Sequence, residues 1–259
     1  MLRVVGALWQ REILKFVRDR ARVAGALLQP LFFWVLLGFG FYDSFQMPGE
    51  TDVPYLEYLF PGIVALILLF SAIFSTIYIV DERQRGLLQA ALVAPVSRLS
   101  LVLGNLAGGV TLALAQTFIF LLFAPLVGLI PSITGLLVIV LASAAMATAF
   151  TALGFTIAWR LDTTRGFHAV MNVVLLPMWV LSGAFFPPEG VPAFVRWVMY
   201  VNPTTYGVAA LRDGLYLPDA VPGASGLPTW LSLAIAVAFA LAMVAYAVRT
   251  VQRRSTVDA

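Results

Sequence analysis

From Leu99 to Trp159 the chain carries no Asp, Glu, Lys, Arg or His. No soluble domain can absorb such a run, because its folded surface needs a charged or polar skin. The rest of the chain agrees: 61% of the 259 residues are hydrophobic and 11% are charged, against roughly 25% charged in an average soluble domain. The same balance excludes disorder, since a chain this apolar collapses. What remains is an integral membrane protein. A helix needs about 20 apolar residues to cross the hydrocarbon layer, so the run holds two spans, about 103–127 and 134–157, separated at Pro125, Gly128, Pro131 and Ser132. Four more windows free of acids and bases fall at about 23–42, 58–80, 167–186 and 227–248, His168 lying at the edge of one. The apolar runs are continuous and do not alternate, which argues against barrel strands. The expected fold is all-α with six transmembrane helices in a domain over 23–248.

The bases set the orientation. Of the 16 Lys and Arg residues, 14 fall before the first span, between spans two and three, between four and five, or after the last; Arg196 and Arg212 alone lie opposite. Positive charge stays cytoplasmic, so both termini are expected inside. The first outer loop, with Asp43, Glu50, Asp52 and Glu57 and no base, fits that side. Residues 1–22 carry bases through Arg22 and show no short apolar core ending in a cleavage site, unlike a secretion signal. On a helical wheel Leu2, Val5, Trp9, Ile13 and Phe16 gather on one face and Arg11, Lys15 and Arg18 on the other. That pattern predicts an amphipathic interface helix on the cytoplasmic leaflet, its bases toward lipid headgroups or a partner. Residues 249–259 form a cytoplasmic tail.

Several chemistries are excluded by composition. With no cysteine there is no disulfide, thiolate metal site or cysteine nucleophile. The single histidine, His168, does not make a zinc site, which needs three or four converging ligands, and it reads as a polar interface residue. Ser182-Gly183 lacks a leading glycine, and His168 lies too far along the same helix to activate the serine as a protease would. The single lysine, Lys15, follows no glycine-rich loop, so the chain has no phosphate cradle for ATP. Ion-coupled carriers place ionisable ligands inside the membrane. These windows hold none apart from His168, so energy for any transport must enter from the cytoplasmic side.

Residues 81–105 read DERQRGLLQAALVAPVSRLSLVLGN. Asp81-Glu82 suits a helix N-terminus, Gly86 allows a bend, Leu87 to Ala94 reads as a short helix stopped by Pro95, and Ser97 can cap the next helix. This loop resembles the coupling region of the type-2 ATP-binding-cassette (ABC) exporter permeases. The residues that carry the resemblance are Glu82, Arg83, Gly86, Leu88, Pro95, Val96, Ser97, Arg98 and Gly104. Leu87, Gln89 and Asn105 depart from the family's Thr, Glu and Lys and lower the charge there. A second resemblance runs from Pro177 to Tyr216, through Leu181, Ser182, Gly183, Phe186, Pro187, Pro192, Asn202, Pro203, Thr205, Tyr206, Leu211 and Arg212. There Asn202 caps a helix that Pro203 opens. Val191–Tyr200 and Thr204–Tyr216 are too short to span, so they are expected as two short outer re-entrant helices before the last span.

The resemblance implies a permease subunit of an ABC exporter in the plasma membrane, completed by a second copy or a paralogue. It has no catalytic residue and no metal of its own; ATP and magnesium are held by two copies of a cytoplasmic ATPase partner. No nucleic acid partner is expected, whereas membrane lipid is. The resemblance also assigns ATPase coupling to Glu82, Arg83, Gly86, Leu87, Leu88, Gln89, Pro95 and Arg98, acting as a lever on spans one, two and five, with Pro30 and Pro177 as kink points. Aromatic walls at Phe33, Phe74, Tyr78 and Trp179 suit a drug-like or lipid-like cargo, with a lipid-linked glycan as the alternative. Gly104-x-x-x-Gly108 permits close helix packing, within the subunit or at a seam. Two other classes remain open: a scaffold without transport, and a lipid-active enzyme, for which Arg160, Asp162 and Arg165 are the best polar trio.

Overall fold

A computed structural model describes residues 2–41, 54–86, 97–216 and 226–253. Among them there is no strand, and six helices are long and apolar enough to cross a membrane. Helix α1 is Leu2–Arg18 and α2 is Arg20–Gly40. The break is at Asp19, whose carbonyl accepts from Val23 N at 3.0 Å and so opens α2. The amphipathic helix therefore ends before Arg20 and Arg22, which belong to the first turn of the span. Helix α3, Tyr55–Gln84, begins earlier and ends later than the window 58–80. This carries Glu57 from the expected outer loop into its first turn. It stops at Arg85, and Gly86 follows at φ 74°, a left-handed conformation in which glycine avoids the Cβ penalty.

Helix α4, Arg98–Leu121, is capped by Ser97, whose hydroxyl accepts from Ser100 N at 3.3 Å. A 3₁₀ turn over Ala124–Val127 and Gly128 at φ 82° lead to α5, Ile133–Arg160, capped in the same way by Ser132. Thr163 caps α6, Thr164–Trp179. The helix then loosens into a π segment, Val180–Ala184. The short helices α7, Ala193–Val201, and α8, Pro203–Tyr216, precede α9, Thr229–Arg253.

Helix α3 is the centre of the bundle. It packs on α2, α4, α5 and α6, while α5 in turn packs on α8 and α9. Its core residues Leu59, Phe60, Ile63, Val64 and Leu68 are fully buried. Trp34 of α2 meets Phe60 and Phe120 edge-on, and Phe60 stacks on Phe120 at 4.8 Å. Small residues on α5, among them Ala142, Ser143, Ala147 and Ala152, let helix backbones approach, as packing in lipid requires. The first and last spans differ sharply from α3: 17% and 22% of their apolar windows are buried, against 71% for α3. Their free flanks, with Phe32, Leu36, Phe39 and Leu241, are left for lipid or another subunit.

Candidate functional site

At the end of the bundle expected to face the cytoplasm, the inner end below, the charged residues of α1 and α3 meet. Glu12, 4% exposed, sits under α4. Its Oε1 takes Arg11 at 2.9 Å and Lys15 at 3.2 Å, and Glu82 takes the same two bases at 3.2 and 2.6 Å. Lys15 also lies 5.0 Å above the Tyr78 ring. Two acids and two bases thus alternate between the interface helix and the end of α3. Arg11 and Lys15 are therefore engaged with the protein itself, shared between two neighbouring carboxylates, while each keeps part of its side chain exposed. Arg18 stays exposed. The small-residue pair of α4 explains how α1 comes so close. A Cβ on Gly104 would lie 2.6 Å from Leu8 Cβ, and one on Gly108 2.7 Å from Glu12 Cβ. Trp9 Nε1 donates to Thr111 Oγ1 at 3.0 Å one turn further on.

Arg83, next to Glu82, points elsewhere. Its guanidinium donates to the carbonyls of Trp159 and Leu161, the latter at 3.1 Å, and to Asp162 Oδ1 at 3.2 Å. Gln84 Nε2 adds a bond to Asp162 O at 2.9 Å. Arg83 thereby satisfies carbonyls left open at the C-terminus of α5. Glu82 and Arg83 tie the last turn of α3, just before Gly86, to two different structures, α1 and the α5–α6 turn. Arg98, on the far side of that loop, donates to Val251 O at 3.3 Å. Leu87, Leu88, Gln89 and Pro95 lie outside the described residues. The trio weighed for an enzyme is dispersed: Asp162 binds Arg83, Arg160 lies over the Tyr246 ring at 5.2 Å, and Arg165 is exposed.

At the outer end the second motif closes around the π segment. Leu181 and Gly183 leave helical geometry, Gly183 at φ 81°, so carbonyls drop out of the helical ladder. Side chains from beyond α7 take them up. Asn202 Nδ2 donates to Met178 O at 2.6 Å and Leu181 O at 3.0 Å, while its Oδ1 accepts from Thr204 N at 3.0 Å, capping α8. Thr205 donates to Met199 O at 2.6 Å, and Tyr206 to Tyr200 O at 2.6 Å. Pro203 opens α8 where an N–H would have no helical partner. Arg212, 2% exposed, donates to Gly183 O at 3.0 Å and Tyr58 O at 3.4 Å, with its guanidinium 4.0 Å from the Tyr58 ring centroid. Burial pushes the adjacent Asp213 carboxyl above the usual carboxylate range; a hydrogen bond from Thr229 at 2.7 Å and the Arg212 charge oppose that.

The stretch of chain that holds both motifs is matched by a known family. Residues 3–216 match the family model described as ABC-2 type transporter. The chain belongs to the ABC-2 type transporter family. Among its relatives is nodulation protein J of Rhizobium meliloti (strain 1021), 31% identical over 216 residues, covering 80% of this chain and 79% of that one. A putative transport permease, ycf38, of Cyanophora paradoxa is 26% identical over 205 residues, 78% of this chain and 71% of the relative. The probable multidrug ABC transporter permease YbhS of Escherichia coli (strain K12) is 26% identical over 170 residues, 64% of this chain and 44% of the relative. The protein is a multi-pass permease subunit of this family, which implies pairing with an ABC ATPase subunit.

The aromatic residues expected to line a path in this ABC-2 permease are not brought together. Trp179 is 3% exposed and its Nε1 donates to Gly62 O at 2.7 Å, so it is a structural tie between α6 and α3. Phe33 is exposed on the free flank of α2. Tyr78 is half-buried beneath Lys15. Phe74 alone reaches a cleft of about 260 Å³ between α2, α3 and α6, lined by Gly25, Ala26, Gln29, Phe74, Ile77 and His168. Sequence reasoning missed Gln29 and the lining role of His168, as it missed Glu12 and Tyr58. Glu12 had a visible signal, being the one acid inside a run of bases from Arg3 to Arg18. Tyr58 had none, since its hydroxyl reaches Gly183 O, 3.0 Å away, only through tertiary packing.

Proposed function

We propose that this chain is the membrane half of an ATP-driven exporter for a hydrophobic or amphipathic cargo, drug-like or lipid-like. Two ATPase copies holding ATP and magnesium work beneath it, and a second permease copy or paralogue completes the pathway. Its place is the plasma membrane with both termini cytoplasmic, where the positive-inside rule puts the basic end. In this reading α1 lies along the inner leaflet, and the segment from Glu82 through Gly86, Leu87, Leu88, Gln89 and Pro95 to Arg98 is the lever gripped by the ATPase. One observation supports it above the others. The head of that segment is tied through Glu82 to α1 and through Arg83 to the α5–α6 turn. A displacement applied at Gly86 therefore pulls on two parts of the bundle at once.

The cleft between α2, α3 and α6 is the proposed cargo path. Phe74 and Ile77 offer an apolar wall, and Gln29 and His168 a polar one, which together suit an amphiphile. The name of the Escherichia coli relative, a probable multidrug ABC transporter permease, supports a drug-like cargo.

The test is reconstitution of the permease with its ATPase in vesicles, with a fluorescent phospholipid and an amphipathic dye as probe cargoes. ATP hydrolysis and probe movement are expected only when both subunits are present. Reversal of the pair Glu82→Arg with Arg83→Glu, at normal assembly, should lower ATP-driven movement at least tenfold. Uphill movement of either probe from an ion gradient, by the permease without an ATPase, would overturn the proposal.

A further inference from the structure

Away from their end turns, the exposed surfaces of α4, α5 and α9 are aliphatic or aromatic. Two other spans break that pattern. Gln29 on α2, and His168 and Asn172 on α6, are exposed at membrane depth. Among the described residues none of the three makes a side-chain hydrogen bond. Hydrocarbon offers such groups no partner, and polar side chains at this depth face a protein interior or a water-filled cavity. Gln29 and His168 do line a cavity, the cleft of about 260 Å³ described above. Asn172 follows His168 by four residues, and Arg165 precedes it by three, so the three lie along one side of α6. Arg165 is exposed as well. Together they cover about 10 Å of the helix. Further out the same helices turn apolar: Val173 and Leu176 are exposed on α6, and Phe33 and Leu36 follow Gln29 at helical spacing on α2.

We infer that Arg165, His168, Asn172 and Gln29 form a head-group track for an amphiphile with an anionic, phosphate-bearing head. The charge follows from the residues. Neither α2 nor α6 contains Asp or Glu. The acid of the turn before α6, Asp162, is held by Arg83 at 3.2 Å. Arg165 therefore stands at the inner mouth as a positive charge with no acid on either wall, and the imidazole and two amides beyond it supply N–H donors in place of water. A cationic head meets no counter-charge there. The layout also fits the way an amphiphile lies in the inner leaflet: the polar groups occupy the inner part of both helices, where the head sits, and the apolar side chains lie further out, where the tail runs.

The track rests on the exporter reading above, and its test separates the two. The full permease–ATPase complex is placed in phosphatidylcholine vesicles with three trace probes that share one tail and one fluorophore. Their heads are phosphatidylglycerol, phosphatidylcholine and a quaternary ammonium. At trace concentration the ratio of ATP-driven rates reads the ratio of kcat/KM. The phosphatidylglycerol probe is expected to move at least fivefold faster than either of the others. Arg165→Gln with His168→Gln should abolish that preference, and Arg165→Asp with His168→Asp should invert it in favour of the ammonium probe, a change that a merely structural role does not produce. Retention of the phosphatidylglycerol probe by the purified complex without nucleotide gives a second measurement, independent of transport. It should fall at least fivefold in Gln29→Leu with Asn172→Leu, and excess inorganic phosphate should not displace the probe. Displacement by phosphate alone would mark a site for free anions and overturn the amphiphile. Equal ATP-driven rates for the three heads overturn the track and leave the exporter reading standing. Selective retention that the variants abolish, in a complex that moves no probe with ATP, upholds the track as a binding site and overturns the exporter. Neither movement nor selective retention overturns both.

Discussion

The two ends of the bundle solve the same problem with different chemistry. Each must fix a break in a long helix. At the inner end α3 stops at Gly86 and the fixing groups are charges meeting charges: Glu82 with Lys15 and Arg11, and Arg83 with Asp162 and the end of α5. These groups are partly exposed, from 17% for Glu82 to 78% for Asp162, so water and salt weaken them. At the outer end α6 loosens at Val180–Ala184, and the fixing groups are neutral amides and hydroxyls, with one guanidinium, donating to freed carbonyls in a buried setting. A hydrogen bond lost there leaves an acceptor that water cannot reach. The inner end is therefore soft and responsive to ionic conditions, whereas the outer end is hard and geometric. That division suits the machine proposed above, driven from below, whose upper closure must not leak.

The hardest blow to this contrast should come at Asn202. Asn202→Leu removes the donor to Met178 O and Leu181 O and the cap on Thr204 N together. With about 1–3 kcal/mol for each buried group left unpaired, the loss should be about 3 kcal/mol or more. It is measured as a lowered thermal midpoint of the purified protein by tryptophan fluorescence. A midpoint within a degree of the parent would show that the outer knot is as yielding as the inner one.

Gly108→Leu comes next. Its side chain would drive into Glu12, whose Cβ already lies within 2.7 Å of a modest Cβ. Overpacking of this kind costs about 1–3 kcal/mol, and here it should be discharged by lifting α1 from α4. Trypsin cleavage after Arg11 and Arg18 should accelerate severalfold while cleavage elsewhere is unchanged. Unchanged cleavage would mean that α1 is held by something other than the glycine groove.

How much of this could be read beforehand follows the same line between local and tertiary causes. Six spans were legible because hydropathy is a property of each window by itself, and Ser97, Asn202 and Pro203 were legible because capping acts within one turn. The break at Asp19 was missed because the bases on either side made residues 1–22 look like one amphipathic unit. The kink of α6 was placed at Pro177, yet the departure from helix comes at Leu181 and Gly183, where α8 supplies partners for the carbonyls. Trp179 looked like a path residue because an aromatic in a span is silent about which way it faces; only packing showed its N–H on Gly62. Burial of Arg212 was illegible for the same reason, since an outer loop arginine is ordinarily wet.

A smaller effect is expected from Glu82→Gln at the inner end. The lost pairing with Lys15 and Arg11 is part-exposed, so about 0.5–1 kcal/mol is the scale. A double-mutant cycle with Lys15→Met isolates it. The coupling energy should shrink by half or more between low salt and 1 M salt, because screening acts on exposed pairs. A salt-independent coupling would mean that the quartet is effectively dry, and the soft–hard contrast between the two ends would fail at its first term.

Arg98→Gln should do least to stability, and for that reason it separates two roles most cleanly. Its one described bond, to Val251 O at 3.3 Å, is long and part-buried, so removing it should change the thermal midpoint by no more than about 0.5 kcal/mol equivalent. If Arg98 serves only to hold α9 near α4, nothing else should change. If it meets the ATPase, as the lever proposal requires, stimulation of ATP hydrolysis by the permease should drop severalfold in a protein that is otherwise as stable as the parent. Loss of stability and coupling together would assign Arg98 to the bundle. Loss of coupling alone would place it at the grip, and would show that the inner end spends some of its charges on a partner, where the outer end spends its polar groups on the fold.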